Sequence, residues 1–231
     1  MSKVIGIIGA MDIEVNGIVS LLENPCEKSI SGIKFYSGSL FGKEIVVAKC
    51  GIGKVFAAIC AQTMILEYKP SVIINSGVAG SLTKELGVLN VAVANNVVQH
   101  DMDTSPLGDP RGLVSGINVI YFDANAEVVN SLVKASEIQC CKCLVGTIAS
   151  GDKFMSVPSE KRALNTEFCA VACEMEGGAI GHTCYVNNVP FGILRAISDG
   201  EGAEMDYATF AEKAANQSIE IVKNFIKIYE V

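Results

Sequence analysis

Positive charge is scarce in this sequence. Its 18 lysines and arginines are outnumbered by 25 acidic residues, which gives a formal net charge of −7, and no basic run is longer than Lys161-Arg162. Proteins that bind nucleic acid need a basic patch or stripe that neutralises phosphates. We therefore expect no nucleic-acid partner.

Long apolar runs are also missing. No segment approaches the ~18 uninterrupted apolar residues of a membrane-spanning helix. The apolar run from Val4 to Gly9 is too short for the core of a secretion signal followed by a cleavage site. We expect no membrane association and a cytoplasmic location.

Patterns typical of metal and nucleotide sites are absent as well. The nine cysteines lie in apolar runs or in the cluster Cys140 to Cys143, and the two histidines, His100 and His182, are far away in sequence. A zinc site needs paired ligands at short spacing, so we expect no metal and reduced cysteines that act as small apolar residues. No glycine-rich turn completes a dinucleotide or P-loop motif.

The sequence is instead rich in hydrophobic residues and glycine. Half of the 231 residues are hydrophobic, and 22 glycines stand against six prolines, as in a compact core with many tight turns. Strand-like apolar runs alternate with amphipathic segments. This order predicts one α/β domain over residues 1–231, with a mostly parallel, twisted sheet covered by helices on both sides.

Three segments are predicted to be irregular. The glycines in 51–53 and 77–80 suit either tight turns or close approach of the backbone to a ligand. Residues 101–117 contain two prolines and three glycines and read as a long loop. A loop of that length in a compact domain usually has a function or a partner to cover.

Three carboxylates, far apart in sequence, are candidates for one pocket. Glu14 follows the first predicted strand, Glu176 follows a buried strand ending at Glu174, and Asp199 follows the last buried strand, where Ser198 could orient it. Ligands of α/β proteins bind at the carboxyl ends of strands. The alternatives are helix-start acids for Glu14 and Glu176, and a turn or capping aspartate for Asp199.

Phe154 allows two interpretations. It follows Gly151 and Asp152 in a predicted turn. It could be a core residue or a stacking platform for a flat heterocycle.

Six motifs in a constant order resemble those of the 5′-methylthioadenosine/S-adenosylhomocysteine nucleosidase family. They are Gly-Ile-Ile-Gly-Ala-Met-x-x-Glu-Val at 6–15, Gly-Ile-Gly-Lys-Val at 51–55, Ile-Asn-Ser-Gly-Val-Ala-Gly at 74–80, Ser-Gly-Asp-x-Phe at 150–154, Glu-Met-Glu-Gly at 174–177 and Arg-Ala-Ile-Ser-Asp at 195–199. The resemblance implies the nucleoside phosphorylase/nucleosidase fold, a single three-layer α/β domain with a central mixed sheet. It also implies hydrolysis of an adenine N-glycosidic bond without metal or cofactor, and a place in methionine salvage.

The resemblance also implies roles for individual residues. Glu14 would activate water and Asp199 would protonate adenine at N7, while Glu176 would hold the ribose hydroxyls. The other residues assigned to substrate binding are Met11, Ile52, Gly80, Phe154, Met155, Met175, Arg195, Ser198 and Tyr207. Phe154 would stack on adenine, Met155 would offer backbone hydrogen bonds, Gly80 would leave room for the ligand, and Met11, Ile52 and Tyr207 would line the pocket for the 5′ substituent.

Two other functions remain open from the sequence. A purine nucleoside phosphorylase would share the fold but use phosphate, which a carboxylate at Glu14 would repel. A non-catalytic nucleoside-binding relative would not need all three acids. The family resemblance also implies a homodimer, in which residues 101–117 contribute to the neighbour's pocket.

Overall fold

The computed structural model describes residues 3–199 and 207–230. Its strands are β1 (Ile5–Gly9), β2 (Glu23–Ile30), β3 (Ile33–Leu40), β4 (Lys43–Lys49), β5 (Val72–Ser81), β6 (Val91–Gln99), β7 (Tyr121–Asp123), β8 (Cys143–Ser150), β9 (Ala170–Glu174) and β10 (Phe191–Asp199). Its helices are α1 (Asp12–Val19), α2 (Lys54–Tyr68), α3 (Ala126–Ile138), α4 (Pro158–Phe168), α5 (Gly177–Val186) and α6 (Tyr207–Ile228).

Local sequence signals explain where several of these elements begin and end. Gly53, with φ of 99°, precedes α2, and Lys69 ends that helix in the left-handed conformation just before Pro70. Asn125 caps α3 by accepting hydrogen bonds from the backbone N–H groups of Glu127 and Val128. These boundaries are encoded by single residues.

The central sheet is mixed, as predicted, and part of it closes on itself. β5 pairs with β10, β10 with β6, β6 with β8, β8 with β9, and β9 again with β5. From β5 the sheet continues through β1, β4, β3 and β2. Among the described residues, five strand pairings are parallel and five are antiparallel.

Helices cover both faces of the sheet, which gives the predicted three layers. One core cluster contains buried residues of α2 and α5, such as Ala57, Met64 and Ile180. A second cluster contains residues of α1, α3 and α6. Burial of these apolar surfaces is the main stabilising contribution to such a fold.

One prediction differs from the structure, and one strand has no sequence pattern that predicts it. Residues 76–80 were expected to form a turn, but they continue β5 as far as Ser81, because glycines and Ala79 let this strand run between bulky charged side chains. The strand β2 is almost entirely exposed, and its sequence has no apolar alternation that would predict a strand. It forms through hairpin pairing with β3.

Residues 101–117 carry little regular structure, as expected. A single 3-10 turn spans Ser105–Leu107. Within the described ranges, none of the helices has the length and apolar character needed to cross a membrane.

Candidate active site

A cavity of about 220 Å³ opens where β1, β5, β9 and β10 end. β1, β5 and β10 are parallel, so their carboxyl ends lie at one edge, while β9 runs opposite to β5 and pairs with it only at Gly80 and Ser81. Ten of the predicted site residues line this cavity: Met11, Glu14, Ile52, Gly80, Phe154, Met155, Met175, Glu176, Ser198 and Asp199. The structure therefore brings together residues from across the chain.

Of the other two predicted site residues, Arg195 does not line the cavity. Arg195 is 1% exposed and lies behind the wall, in contact with the acids that form it. Tyr207 begins α6, but its side chain lies outside the described residues.

Glu14 is fixed by backbone groups from two strands' ends. One carboxylate oxygen accepts hydrogen bonds from the N–H groups of Ala10 at 2.7 Å and Met11 at 2.9 Å, and the other accepts from the N–H of Val78 at 3.1 Å. Burial raises the pKa of Glu14, although Arg195 and these hydrogen bonds act in the opposite direction. Glu14 also caps the start of α1, so the helix-start alternative describes part of its role.

Glu174 was not among the sequence candidates, yet it organises the floor of the cavity. Its carboxylate accepts hydrogen bonds from the Ser150 hydroxyl, the Arg195 guanidinium, and the backbone N–H groups of Glu176 at 3.0 Å and Gly177 at 2.7 Å. Its sequence signal was the Glu-Met-Glu pattern, in which both acids share one side of the strand.

Glu176 lies beside this network with a different electrostatic balance. Its Oε1 accepts a hydrogen bond from the N–H of Gly53 at 2.9 Å, and its Oε2 lies 3.6 Å from the Arg195 guanidinium. Burial, together with the charge of Glu174, raises the pKa of Glu176 to about 7. Near neutral pH this group can therefore be charged or protonated, which suits hydrogen bonding to hydroxyl groups.

Arg195 is the cation that offsets the negative charge of these buried acids. Besides Glu174 and Glu176, its guanidinium donates to the side-chain oxygen of Asn75, whose amide nitrogen donates to the backbone oxygen of Ile8 at 2.9 Å. A Cβ atom at Gly77 would lie 2.2 Å from the guanidinium and 2.5 Å from Glu14. Gly77 is thus required because β5 passes directly against both charged groups.

Asp199 reaches the cavity through an irregularity in β10. The register between β10 and β5 shifts at Ser198, so that Asp199 lies opposite Gly80. A bulge of this kind re-aims a side chain at the end of a strand. The Ser198 hydroxyl donates to Asp199 Oδ1 at 3.1 Å, and the ammonium of Lys161, from α4, contacts Asp199 Oδ2.

Gly80 makes room for this arrangement. A Cβ atom there would lie 3.0 Å from Asp199 Oδ2 and 3.1 Å from Lys161 Nζ. The space beside Gly80, which the family resemblance assigns to the ligand, also holds the side chains of Asp199 and Lys161.

The mouth of the cavity is apolar and aromatic. Phe154 is 55% exposed, which excludes the core alternative, and Ile52 is 56% exposed. Met155 is buried in a small apolar cluster with Leu82 and Phe168. These residues can contact a flat ring and an apolar substituent.

The exposed apolar patch next to the mouth continues along α2. We call Ile52, Val55, Phe56 and Ile59 the α2 apolar surface; each is between 42% and 70% exposed. Residues 101–117 start beside it, because Asp101 forms an ion pair with Lys54 at 2.6 Å and accepts the backbone N–H of Asp152 at 2.9 Å.

Among the described residues, no group of three or more histidine, cysteine or acidic side chains could hold a metal ion. All nine cysteines are free thiols. The acids of the cavity are engaged by Arg195, Lys161 and backbone N–H groups.

Together, the mixed sheet between two helical layers and the acid-rich cavity at its strand ends define an α/β protein with a built small-molecule site. The family model of the phosphorylase superfamily matches residues 4–227. A 5′-methylthioadenosine/S-adenosylhomocysteine nucleosidase from Staphylococcus aureus is 39% identical over 226 residues, which is 96% of this chain and 98% of that protein.

Solved structures agree with this likeness. A Helicobacter pylori nucleosidase, in which an aspartate is replaced by asparagine and 5′-methylthioadenosine occupies the active site, is 35% identical with a TM-score of 0.93, covering 99% of this chain and 100% of that one. A futalosine hydrolase from the same species gives 35% identity and a TM-score of 0.93, covering 99% of both chains. The chain belongs to the 5′-methylthioadenosine/S-adenosylhomocysteine nucleosidase family of the phosphorylase superfamily.

Proposed function

We propose that this protein is a hydrolase that cleaves the N-glycosidic bond of 5′-methylthioadenosine and S-adenosylhomocysteine, releasing adenine and the 5′-substituted ribose. The observation that carries this proposal is the placement of Glu14 and Asp199 around one strand. Val78 of β5 donates to Glu14, and Gly80, two residues further, lies against Asp199. Two residues of strand span roughly 7 Å, which leaves room for a sugar-base bond between the acids.

Asp199 supplies the acid in this reaction. As the nucleoside binds, Asp199 takes up a proton from solvent. As the glycosidic bond breaks, the electron pair of that bond moves onto adenine, and the proton moves from the Asp199 carboxyl group to adenine N7. The O–H bond of Asp199 breaks while the N7–H bond forms, so neutral adenine leaves. Ser198 keeps Asp199 Oδ1 in place by its hydrogen bond, which restricts the acid to one orientation.

Glu14 supplies the base. The bond cleavage builds positive charge on the ribose, and water attacks the anomeric carbon while Glu14 takes its proton. The raised pKa of Glu14 improves its ability to accept that proton. The nearby carboxylates also stabilise the developing charge on the sugar.

The remaining lining residues position the substrate. Phe154 stacks on adenine, the backbone of Met155 meets its edge, and Glu176, beside Met175, binds the ribose hydroxyls. Glu176 is held for this by the N–H of Gly53 and by Arg195. Arg195 thus acts on the substrate through Glu176.

An apolar 5′ substituent fits the mouth formed by Met11 and Ile52, with Tyr207 as a further candidate. AMP should be a poor substrate, because its phosphate would meet apolar groups and nearby carboxylates. A panel of 5′-methylthioadenosine, S-adenosylhomocysteine, 5′-deoxyadenosine and futalosine, with kcat/KM for each, ranks the substrates.

Adenine release in the presence and absence of phosphate tests the proposed reaction. We expect equal rates with and without phosphate, and with a metal chelator, and formation of the free 5′-substituted ribose. A rate that depends on phosphate, or a sugar 1-phosphate product, would identify a phosphorylase. Nucleoside that stays intact after long incubation would identify a non-catalytic binding protein.

We extend the proposal to a homodimer. The α2 apolar surface lies next to the cavity mouth, and the exposed Leu107 in residues 101–117 offers a second apolar contact. Burying such patches favours association, and two-fold dimers are the commonest homo-oligomers. Light scattering at micromolar concentration should give twice the chain mass, and Phe56→Glu should give monomers that bind 5′-methylthioadenosine more weakly. A fully active monomer would contradict the dimer.

We also propose that residues 1–231 work as one domain in the cytoplasm, where release of adenine contributes to methionine salvage. The strands of one sheet come from residues 5–199, and free thiols suit a reducing compartment. Cell fractionation checks the location, and a single cooperative unfolding transition checks the domain organisation.

A further inference from the structure

Lys161 is a buried cation that the reaction described above does not use. Its side chain is 4% exposed, on the inner face of α4, and its ammonium contacts Asp199 Oδ2, in a side chain that is 14% exposed. Neither the six sequence motifs nor the predicted site residues include it. An ammonium group is costly to bury, so its position needs a reason beyond packing.

The surroundings of the pair make Lys161 the counter-charge of Asp199. On β9, the Cys173 thiol lies close to both groups, but burial raises its pKa to about 12, so it is neutral and adds no charge. Glu174 is engaged by Arg195. On β10, the neighbouring Ser198 hydroxyl is uncharged and occupies the other oxygen of Asp199.

The contact between Lys161 and Asp199 requires a residue without a side chain on β5. Gly80 of β5 lies against both groups, and a Cβ atom there would be 3.1 Å from Lys161 Nζ. The bulge at Ser198 turns Asp199 towards the same point. Three elements, α4, β5 and β10, therefore converge on one ion pair at the cavity wall.

We propose that Lys161 is a positioning residue for Asp199, which holds this side chain in one orientation towards the cavity. This inference rests on the proposed function, in which Asp199 is the acid. The Lys161 ammonium contacts one oxygen of Asp199 and the Ser198 hydroxyl donates to the other, so the side chain keeps one orientation while its proton is transferred. Loss of that orientation slows the chemical step more than it weakens nucleoside binding, so Lys161 affects kcat more than affinity.

The test is a double-mutant cycle of Lys161→Met and Asp199→Asn, with 5′-methylthioadenosine as substrate. We expect Lys161→Met alone to lower kcat about 10- to 100-fold, with KM changed less than about threefold. Since Lys161 acts through Asp199, the double variant should be no slower than Asp199→Asn alone. Lys161→Arg, which keeps a positive charge, should be faster than Lys161→Met.

Controls separate this role from a structural one. Arg162→Met removes a cation from the exposed face of the same helix and should leave kcat and KM unchanged. Melting temperatures of all variants show whether the fold is retained. Unchanged kcat in Lys161→Met, a raised KM with normal kcat, or losses that multiply in the double variant would overturn the inference.

Failure of the proposed function looks different. If Asp199→Asn keeps full activity, Asp199 is not the acid and the proposed reaction fails. If Asp199→Asn is inactive while Lys161→Met behaves like the wild type, only the role of Lys161 fails.

Discussion

Glu14 and Asp199 line one cavity, but the protein holds them in different ways. Glu14 is 2% exposed and receives three backbone N–H groups, so its position follows from the chain path at the ends of β1 and β5. Asp199 is held by two side chains, Ser198 and Lys161. The proposed base, Glu14, is therefore held by the backbone, whereas the proposed acid, Asp199, depends on two particular side chains.

Of the variants considered, Asp199→Asn should cause the largest loss of activity. An amide can still hydrogen-bond adenine but cannot transfer a proton, so kcat should fall about 1,000-fold or more, while nucleoside affinity changes less than about tenfold. Single-turnover adenine release and equilibrium binding measure the two quantities. Parallel loss of binding and activity, or unfolding, would instead make Asp199 a structural turn residue.

Glu14→Gln should give the next largest effect. The amide keeps the volume of the side chain but cannot accept the proton of water, so kcat should fall at least ~100-fold. One of its two polar atoms is a donor that would face a backbone N–H, so stability should fall as well, which thermal melting reports. Full activity in this variant would remove Glu14 from the role of water activator.

The Gly77→Ala variant tests how closely the backbone of β5 packs against Glu14 and Arg195. A Cβ atom at this position would overlap Arg195 and Glu14, so the free energy of unfolding should fall by about 2 kcal/mol, as in other overpacked cores. Gly87→Ala is the matched control, because the nearest atom to its Cβ would be at 3.7 Å. Equal urea midpoints for both variants would show that Arg195 and Glu14 can shift enough to accommodate the added methyl group.

The last expected effect appears only when the pH is varied, and it concerns the stability contributed by Glu176. Burial and Glu174 raise its pKa from 4.5 to about 7, so the folded chain holds this proton more tightly than the unfolded chain. Its stabilising contribution is complete below about pH 4.5 and is lost as the pH rises to about 7.

We therefore expect the wild type to lose stability relative to Glu176→Gln as the pH rises from about 5 to about 8. The difference in free energy of unfolding between the two proteins should change by on the order of 2 kcal/mol. Glu220→Gln, at an exposed ion pair with Lys223, is the control and should show little pH dependence. Parallel stability curves for wild type and Glu176→Gln would contradict the raised pKa.

Much of the fold and of the cavity lining follows from local sequence. Apolar runs set the buried strands. Glu14 and Asp199 follow strands that share an edge because β1, β5 and β10 are parallel. Glu176 joins them because β9, although antiparallel to β5, pairs with the end of that strand. The hairpin of β3 and β4 also follows from local sequence, because Phe41-Gly42 forms a turn between two strand-like runs. The exposed strand β2 had no such pattern to reveal it.

The sequence by itself determined that Glu14, Glu176 and Asp199 reach the cavity, since the end of an apolar run is a local property, but it did not single out Glu174. The tertiary structure decided what each acid contacts. The pair of Lys161 and Asp199 joins residues 38 positions apart, and that of Arg195 and Asn75 joins residues 120 apart. Such contacts depend on the order and closure of the strands, and on a one-residue bulge at Ser198, none of which a local pattern encodes.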